Sequence, residues 1–196
     1  MTDRATLSDS PVTPAQTAEL LRGRRTVDRF RTDTVPDKTL IHEAIEVARW
    51  APNHHVTEPW RFALLGPAAQ ARIVELNTAL VTASKGADVG EAKRERWAKM
   101  PGWLAVTCQR QEDPVTARED YAACACAIQN LTLYLHSAGV ASKWVSGAVT
   151  RESAFMEAIG ADPDAEYCVG LIWYGYPLRR PKSQRKGLSE IMRERD

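Results

Sequence analysis

Residues 51–62 have the sequence Ala51-Pro52-Asn53-His54-His55-Val56-Thr57-Glu58-Pro59-Trp60-Arg61-Phe62. This stretch is a loop of hydrogen-bonding side chains, bounded by two prolines, and it leads directly into apolar residues that predict a strand from Trp60 to Leu65. Because Pro59 favours an extended backbone at Glu58, the loop cannot join the preceding helix. Donors and acceptors this dense at the start of a buried strand could hold the edges of a heteroaromatic ligand. A plain polar connection between helix and strand would also explain them.

The composition is that of an ordinary globular domain. The 196 residues are 44% apolar and 26% charged, which suits one domain with a large core. The net charge of +1 gives no general attraction to nucleic acid or to an anionic membrane. No signal segment or membrane-spanning apolar run is visible. We therefore predict a cytoplasmic protein that binds neither nucleic acid nor membranes, with a mobile N-terminal tail at residues 1–13 and a single domain at residues 14–196.

The four cysteines indicate a reducing compartment rather than a metal site. Cys108, Cys124, Cys126 and Cys168 form no Cys-x-x-Cys pair, and all lie in apolar stretches. Cys124 and Cys126 are two positions apart on a predicted helix, so they point to different faces and cannot bind one metal ion together. We predict reduced, buried thiols and no metal.

A cationic segment follows the first predicted helix, which begins at Pro14 and ends at Gly23. Arg24, Arg25 and Thr26 come next and supply two planar guanidiniums and a hydroxyl, the donors that suit a phosphate. A solvated cationic helix end, favoured by the helix dipole, explains the same residues. On this segment alone both interpretations remain open.

Helices and strands alternate along the rest of the chain. The apolar spacing indicates helices, and short apolar runs between turn residues indicate strands. The last strand is apolar throughout, which suggests a central position in the sheet. We predict helices that begin at Val35-Pro36-Asp37 and at residues 68–84, and strands at residues 104–108 and 167–176.

Two further segments have less certain patterns. Residues 85–96 are charged and contain glycine, with little to bury, so we predict a flexible excursion or lid. Thr150 has the character of an N-cap, which predicts a helix at residues 151–159.

The most apolar helix spans Tyr121 to Leu135 and carries no charged side chain. A helix that is apolar all round must be buried on every side, which in a chain of this size is easiest if a second subunit covers one face. We therefore predict a homodimer through this helix. A charge at Ala123 or Ala127 would disrupt it, unless those positions face the core of their own chain. His136, near its C-terminus, is most simply a residue that favours the helix dipole.

Several catalytic and nucleotide-binding motifs are missing from the sequence. There is no Gly-x-Gly-x-x-Gly and no Gly-x-x-x-x-Gly-Lys-Ser/Thr, so the common dinucleotide and mononucleotide loops are absent. There is also no Gly-x-Ser-x-Gly and no His-Glu-x-x-His, which leaves a hydrolase without a nucleophile or a metal.

Taken together and in order, five segments resemble the nitroreductase family of FMN-dependent oxidoreductases. The resemblance covers residues 20–188 and is closest to the small members of the family. Each segment alone is a weak signal, but their common order favours the phosphate and ligand interpretations given above. The segments are Arg24-Arg25-Thr26, the helix start Val35-Pro36-Asp37, the run from Ala48 to His54, the run from Glu58 to Phe62, and Gly139 to Gly147 after the long apolar helix.

The resemblance implies an α+β fold with a mainly antiparallel sheet flanked by helices, in an intertwined homodimer that holds two FMN molecules at its interface. Arg24, Arg25 and Thr26 would bind the phosphate and ribityl end, and Arg185 would join them from the basic tail. Asn53 and His54 would approach the flavin from the partner subunit. The isoalloxazine region would be lined by Lys143, Trp144, Val145, Ser146 and Gly147.

Two positions depart from the family pattern. Many members have Gln where this chain has Glu58, which would alter the charge near the ring. Some relatives have Arg where Val145 stands, so one anchor to FMN is missing.

The implied activity is hydride transfer from NADH or NADPH through flavin N5 to a nitroaromatic, quinone or similar electron-poor small molecule, without a catalytic side chain. One alternative is a flavin-dependent dehydrogenase or dehalogenase for a single dedicated metabolite. A non-catalytic anion-binding or nucleic-acid-binding module is the other, although the near-neutral charge disfavours it.

Overall fold

The structure is a computed structural model, and it describes residues 11–195. It contains six α-helices and four β-strands among these residues. The helices are α1 (Pro14–Gly23), α2 (Lys38–Ala48), α3 (Pro67–Lys85), α4 (Ala87–Ala98), α5 (Pro114–Ser137) and α6 (Ser153–Ala158). The strands are β1 (Trp60–Leu64), β2 (Gly102–Gln109), β3 (Ala141–Val145) and β4 (Glu166–Gly175).

Three helices begin at side-chain caps supplied by the sequence. The Asp37 carboxylate accepts a hydrogen bond from the backbone N–H of Thr39 at the start of α2, and Asp113 does the same for Thr116 at the start of α5. Thr13, which the sequence assigned to the mobile tail, is instead the N-cap of α1. Residues 1–10 of that predicted tail lie outside the described residues.

The strands form one antiparallel sheet in the order β1-β2-β4-β3. β4 lies between β2 and β3, which confirms the central position predicted from its continuous apolar character. The α+β class and the antiparallel sheet are as predicted.

Helices cover both faces of the sheet. On one face, α2 and α5 bury aliphatic side chains such as Ile41, Ile128 and Leu131 against the strands. On the other face, three tryptophans from α4, β2 and β4 pack edge to face or tilted, with ring centroids 4.9–5.7 Å apart. The three are Trp97, Trp103 and Trp173. Residues of α3, α4 and α6 pack with them on this second face.

Two local predictions are wrong. The charged segment at residues 85–96 is not a flexible excursion: most of it belongs to α4, which packs on α3 because Gly90 permits close approach to Thr82. A Cβ at Gly90 would lie 2.0 Å from Thr82 Oγ1, so no larger residue fits without a shift. Thr150 caps no α-helix, since its hydroxyl donates to the Gly147 carbonyl within a short 3₁₀ turn, and α6 begins only at Ser153.

Helix α5 is not covered on all sides within one chain. Ala123 and Ala127, predicted to face a partner, are 3% and 0% exposed because they pack on the sheet of their own chain. The uncovered face carries Tyr121, Ala122 and Cys126, so the prediction that all four cysteines are buried is also wrong. Ala123 and Ala127 therefore belong to the core of their own chain. Among the described residues, no helix combines the length and apolar character needed to cross a membrane.

Candidate functional site

The cationic segment after α1 is fixed beside strand β3. Arg24 follows α1 with an extended backbone. Two residues further on, Thr26 forms a parallel bridge with Ser142 of β3, and the Val27 N–H donates to the Ser142 carbonyl at 3.1 Å. The predicted phosphate residues and the predicted ring-lining strand are therefore neighbours in space. This arrangement agrees with a single ligand that spans both.

Three of the predicted phosphate residues form a cluster of positive charge. Burial lowers the pKa of Arg24, and the charges of Arg185 and Arg25 lower it further, which places all three guanidiniums within electrostatic range. Among residues 11–195, none of the three forms an ion pair with a carboxylate. Arg25 donates to the Arg24 carbonyl at 2.7 Å and also to that of Arg22, so part of its role is to close the end of α1. The cluster has the character of an anion-binding site.

His136 belongs to this cluster, although the sequence analysis predicted only a helix-dipole role for it. The end of α1 packs on its ring: a Cβ at Gly23 would lie 2.9 Å from His136 Nε2. Burial lowers the pKa of His136, and the charges of Arg180, Arg24 and Arg25 lower it further. The neutral imidazole is therefore favoured, the opposite of the cation that a dipole role requires.

A pH dependence of stability follows from His136. Its folded-state pKa is below the unfolded value, so the neutral ring stabilises the protein above that value and the stabilisation is lost as the pH falls through the folded pKa. We expect the urea midpoint of the FMN-free protein to fall between about pH 7 and about pH 5, and to fall less in His136→Gln. If the urea midpoints of wild type and His136→Gln fell equally over this pH range, His136 would be excluded as the source of the pH dependence.

The end of β3 lines a cavity of about 330 Å³. Lys143, Val145 and Gly147 reach it, whereas Trp144 lies on the opposite side of the strand, where its indole N–H donates to the Val169 carbonyl at 3.2 Å. Ser146 is exposed and does not line the cavity. Of the five residues predicted to line the isoalloxazine region, three therefore line this cavity and two do not.

Two side chains that line this cavity each carry a buried donor with no partner among the described residues. The donors are the side-chain amide of Asn77, which is 6% exposed, and the indole N–H of Trp173, which is 2% exposed. An unpaired buried donor costs about 1–3 kcal/mol, so two beside one cavity agree with a ligand that presents hydrogen-bond acceptors. Asn77 was missed by sequence analysis, because a single amide in the apolar stripe of α3 resembles a surface residue.

The loop at residues 53–58 is held by a hydrogen-bond network that ends on a buried carboxylate. Asn53 accepts from the Glu58 N–H at 2.6 Å and donates to Thr57 Oγ1 at 3.0 Å. Thr57 donates to Asp120 at 2.5 Å, and Gln111 donates to the other Asp120 oxygen at 2.9 Å. Asp120, on α5, is 1% exposed. The network therefore anchors the loop to the long helix.

The same loop has an unusual backbone. His55, Val56 and Glu58 have φ angles of 57°, 51° and 45°, which non-glycine residues seldom adopt and which cost of order 1–3 kcal/mol each. His54 stacks on His55 at 3.9 Å, and its Nδ1 lies 3.2 Å from Glu119 on α5. Contacts from α5 thus hold the loop in a strained shape.

Within one chain, the loop and the arginine cluster lie at opposite ends of α5. The loop contacts the helix at Asp120, and the arginine cluster surrounds His136, sixteen residues further along. At 1.5 Å per residue this separates the two contact points by about 24 Å. One chain therefore does not bring Asn53 and His54 to Arg24.

The network predicts a measurable loss of stability in Thr57→Val. This change keeps the side-chain shape but removes the hydroxyl that donates to buried Asp120, which should lower the free energy of unfolding by about 1–3 kcal/mol. Urea denaturation measures the loss, and Thr57→Ser, which retains the hydroxyl, should recover most of it. Equal stabilities of the valine and serine variants would show that the hydrogen bond contributes little.

Comparison with known proteins identifies the family of the chain. The family model described as "Nitroreductase family" matches residues 21–176. The chain belongs to the nitroreductase family. The predicted family is thus confirmed, and with it the enzyme class, an oxidoreductase.

Relatives of this nitroreductase-family chain extend over almost its whole length. A protein of Bacillus subtilis (strain 168) named "Putative NAD(P)H nitroreductase YfhC" is 31% identical over 173 residues, which are 86% of this chain and 88% of that protein. The crystal structure of a nitroreductase-like family protein from Bacillus cereus has a TM-score of 0.81 at 27% identity and covers 95% of this chain and 100% of the other.

A more distant structure shares the fold. The FMN-dependent nitroreductase NfnB from Mycobacterium smegmatis, solved in complex with NADPH, has a TM-score of 0.74 at 20% identity, with 94% of this chain and 100% of that chain covered. The predicted nitroreductase-like fold is confirmed by these structures.

Proposed function

We propose that this chain is an FMN-dependent NAD(P)H oxidoreductase that reduces nitroaromatic, quinone or similar electron-poor small molecules and works as a homodimer. The observation that carries the proposal is the cavity at the end of β3, lined by Asn77 and Trp173, whose buried donors have no partner in the described part of the chain. The names of the relatives agree with it, since one is an FMN-dependent enzyme in complex with NADPH.

The residues present fit FMN at both of its ends. The isoalloxazine ring carries carbonyl oxygens and ring nitrogens that can accept hydrogen bonds. The Asn77 amide and the Trp173 indole N–H have no acceptor among the described residues. The phosphate is a dianion, and Arg24, Arg25 and Arg185 form a cluster with no carboxylate of the described residues paired to it. Thr26 adds a hydroxyl beside β3.

When bound, FMN supplies the redox chemistry, accepting hydride from NADPH or NADH and passing reducing equivalents to the acceptor. The protein binds the cofactor and tunes its surroundings. The Lys143 ammonium lies 5.7 Å from the Trp173 ring centroid and lines the cavity, where its charge would stabilise negative charge on a reduced ligand. Trp97, Trp173 and Val145 supply apolar walls that keep water away.

A second copy of the chain would complete the site. Because the loop with Asn53 and His54 lies about 24 Å from the arginine cluster along α5, it can meet the same flavin only from the partner subunit. Large apolar side chains near the loop are exposed in the single chain, with Trp50 at 77%, Val56 at 75% and Tyr121 at 46%. A partner packed on this face of α5 would bury them.

The proposal is tested by purifying the protein and titrating it anaerobically with NADPH and with NADH. We expect a yellow protein whose flavin absorbance is bleached by at least one nicotinamide and restored by a nitroaromatic or quinone acceptor. A colourless protein that does not bind added FMN would contradict the proposal. A yellow protein that neither nicotinamide bleaches would contradict the reductase activity and favour a flavin enzyme for one dedicated metabolite.

A further inference from the structure

The cavity at the end of β3 has more positive charge around it than a flavin ring requires. Four cations line it: Lys85 at the end of α3, Lys93 and Arg96 on α4, and Lys143 on β3. No aspartate or glutamate of the described residues lines it with them. The inference that follows rests on the proposed function, in which the same cavity holds the flavin ring.

Three of these four cations form no ion pair with a carboxylate of the described residues, although paired cations lie close by. Arg96 pairs with Asp28 at 2.8 Å. On another face of α4, Arg94 pairs with both Glu75 and Glu91, at 3.0 and 3.2 Å. By contrast, no carboxylate among residues 11–195 is within ion-pair distance of the three lysines that line the cavity. Helix α4 thus neutralises its outer charge and leaves positive charge toward the cavity.

The FMN phosphate does not account for these lysines. The charges that act on Arg24 are those of Arg185 and Arg25, whereas those that act on Lys143 are Arg96, Asp28 and Lys93. The two groups of cations are therefore separate, and the single phosphate of FMN is assigned to the arginines. A reduced flavin adds one negative charge, which Lys143 can balance. Lys85 and Lys93 are left without an anion.

We propose that Lys85 and Lys93 recognise an electron acceptor that carries a carboxylate, such as a nitroaromatic or quinonoid acid. Apolar side chains line the same cavity as the two lysines, with Leu80 and Val81 on α3 and Trp97 on α4. An aromatic ring can pack on these walls while its carboxylate meets the ammonium groups. Ammonium groups on flexible stems suit acids of different shape, which agrees with a broad but charge-selective acceptor site.

The 2′-phosphate of NADPH is a less suitable anion for these lysines. The 2′-phosphate of NADPH lies at the adenosine end of the molecule, remote from the nicotinamide that must meet the flavin. Lys85 and Lys93 line the same cavity as the ring-lining residues of β3. The charge is therefore placed for a small molecule that lies next to the flavin ring in this cavity.

The test compares 4-nitrobenzoate with its neutral analogue 4-nitrobenzamide on FMN-loaded enzyme at saturating nicotinamide. We expect a higher kcat/KM for the acid, and a preference that falls as ionic strength rises. Lys85→Gln and Lys93→Gln should each reduce the acid-to-amide ratio of kcat/KM by roughly two- to fivefold, mainly through KM, as for a partly exposed charge pair. Lys38→Gln, at the exposed start of α2, is the matched control and should leave the ratio unchanged.

A binding measurement complements the kinetics. Titration of the oxidised holoenzyme with 4-nitrobenzoate, followed by the change in the flavin spectrum, should give a dissociation constant that rises two- to fivefold in each lysine variant, by the same argument. An acid-to-amide ratio that neither lysine alters would overturn the inference. So would variants that raise KM for NADPH and leave the acceptor unaffected, since the lysines would then serve the donor.

The outcome for the acceptor can be separated from that for the proposed function. FMN content and anaerobic bleaching are measured first on each preparation. Failure of the wild-type protein to bind or reduce flavin overturns the proposed function, and with it the inference. Normal flavin reduction with no preference for the acid overturns the acceptor inference alone.

Discussion

Arg24→Ala is expected to weaken FMN binding by roughly 10- to 150-fold. Removal of a charge-assisted contact to a phosphate costs about 1.5–3 kcal/mol, and each 1.4 kcal/mol is a tenfold change in affinity. Arg24 is half-buried, as is Arg25. Burial and the repulsion from Arg185 and Arg25 lower the pKa of Arg24, and a bound anion would relieve that repulsion. A fluorescence titration of the FMN-free protein with FMN measures the change.

Two controls make the Arg24 result specific. Riboflavin, which lacks the phosphate, should bind wild type and Arg24→Ala with similar affinity. Arg72→Ala removes a guanidinium that forms a surface ion pair with Glu157 and should leave FMN binding unchanged. If Arg24→Ala bound FMN as tightly as wild type, Arg24 would not be part of the phosphate site.

A glutamate at Ala122 or Cys126 is expected to convert the dimer into monomers. Both positions are on the exposed face of α5, and the proposed interface would bury an unpaired carboxylate there at a cost of several kcal/mol. Because each flavin is proposed to need the loop of the partner, the monomer should also lose FMN affinity. Sedimentation velocity measures the assembly, and flavin content reports the second effect.

Controls for the α5 variants distinguish an interface effect from unfolding. Ala79→Glu places the same charge on an exposed position of α3 and should leave the assembly unchanged. Ala123→Glu instead buries the charge in the core of its own chain, so it should lower the unfolding midpoint of the isolated subunit. Folded dimers of both the Ala122 and Cys126 variants would locate the interface elsewhere.

The order of the short segments made the family predictable from sequence, while single-residue geometry required the structure. The apolar run of β4 identified a central strand because a buried strand has no polar face. The apolar character of α5 did not reveal which residues face the sheet, since alanine and cysteine occur on both sides and give no amphipathic contrast. Ala123 and Ala127 were therefore placed on the wrong face.

Long-range contacts explain what else the sequence could not supply. Asp120 supports a loop that is sixty-three residues earlier in the chain, through its contact with Thr57. His136 meets the arginines only because α1 ends against α5. Helix α4 is low in apolar residues, and its stability depends on Trp97 and on the close approach at Gly90. None of these partners can be read from local patterns.

A crystal structure of the protein grown with excess FMN tests the central claim most directly. We expect two flavins at a dimer interface. Each should have its phosphate at Arg24, its ring in the cavity at the end of β3, and the loop of the partner subunit against the ring. A structure with no flavin between the subunits, and with Arg24 and His54 on surfaces remote from any ligand, would contradict it.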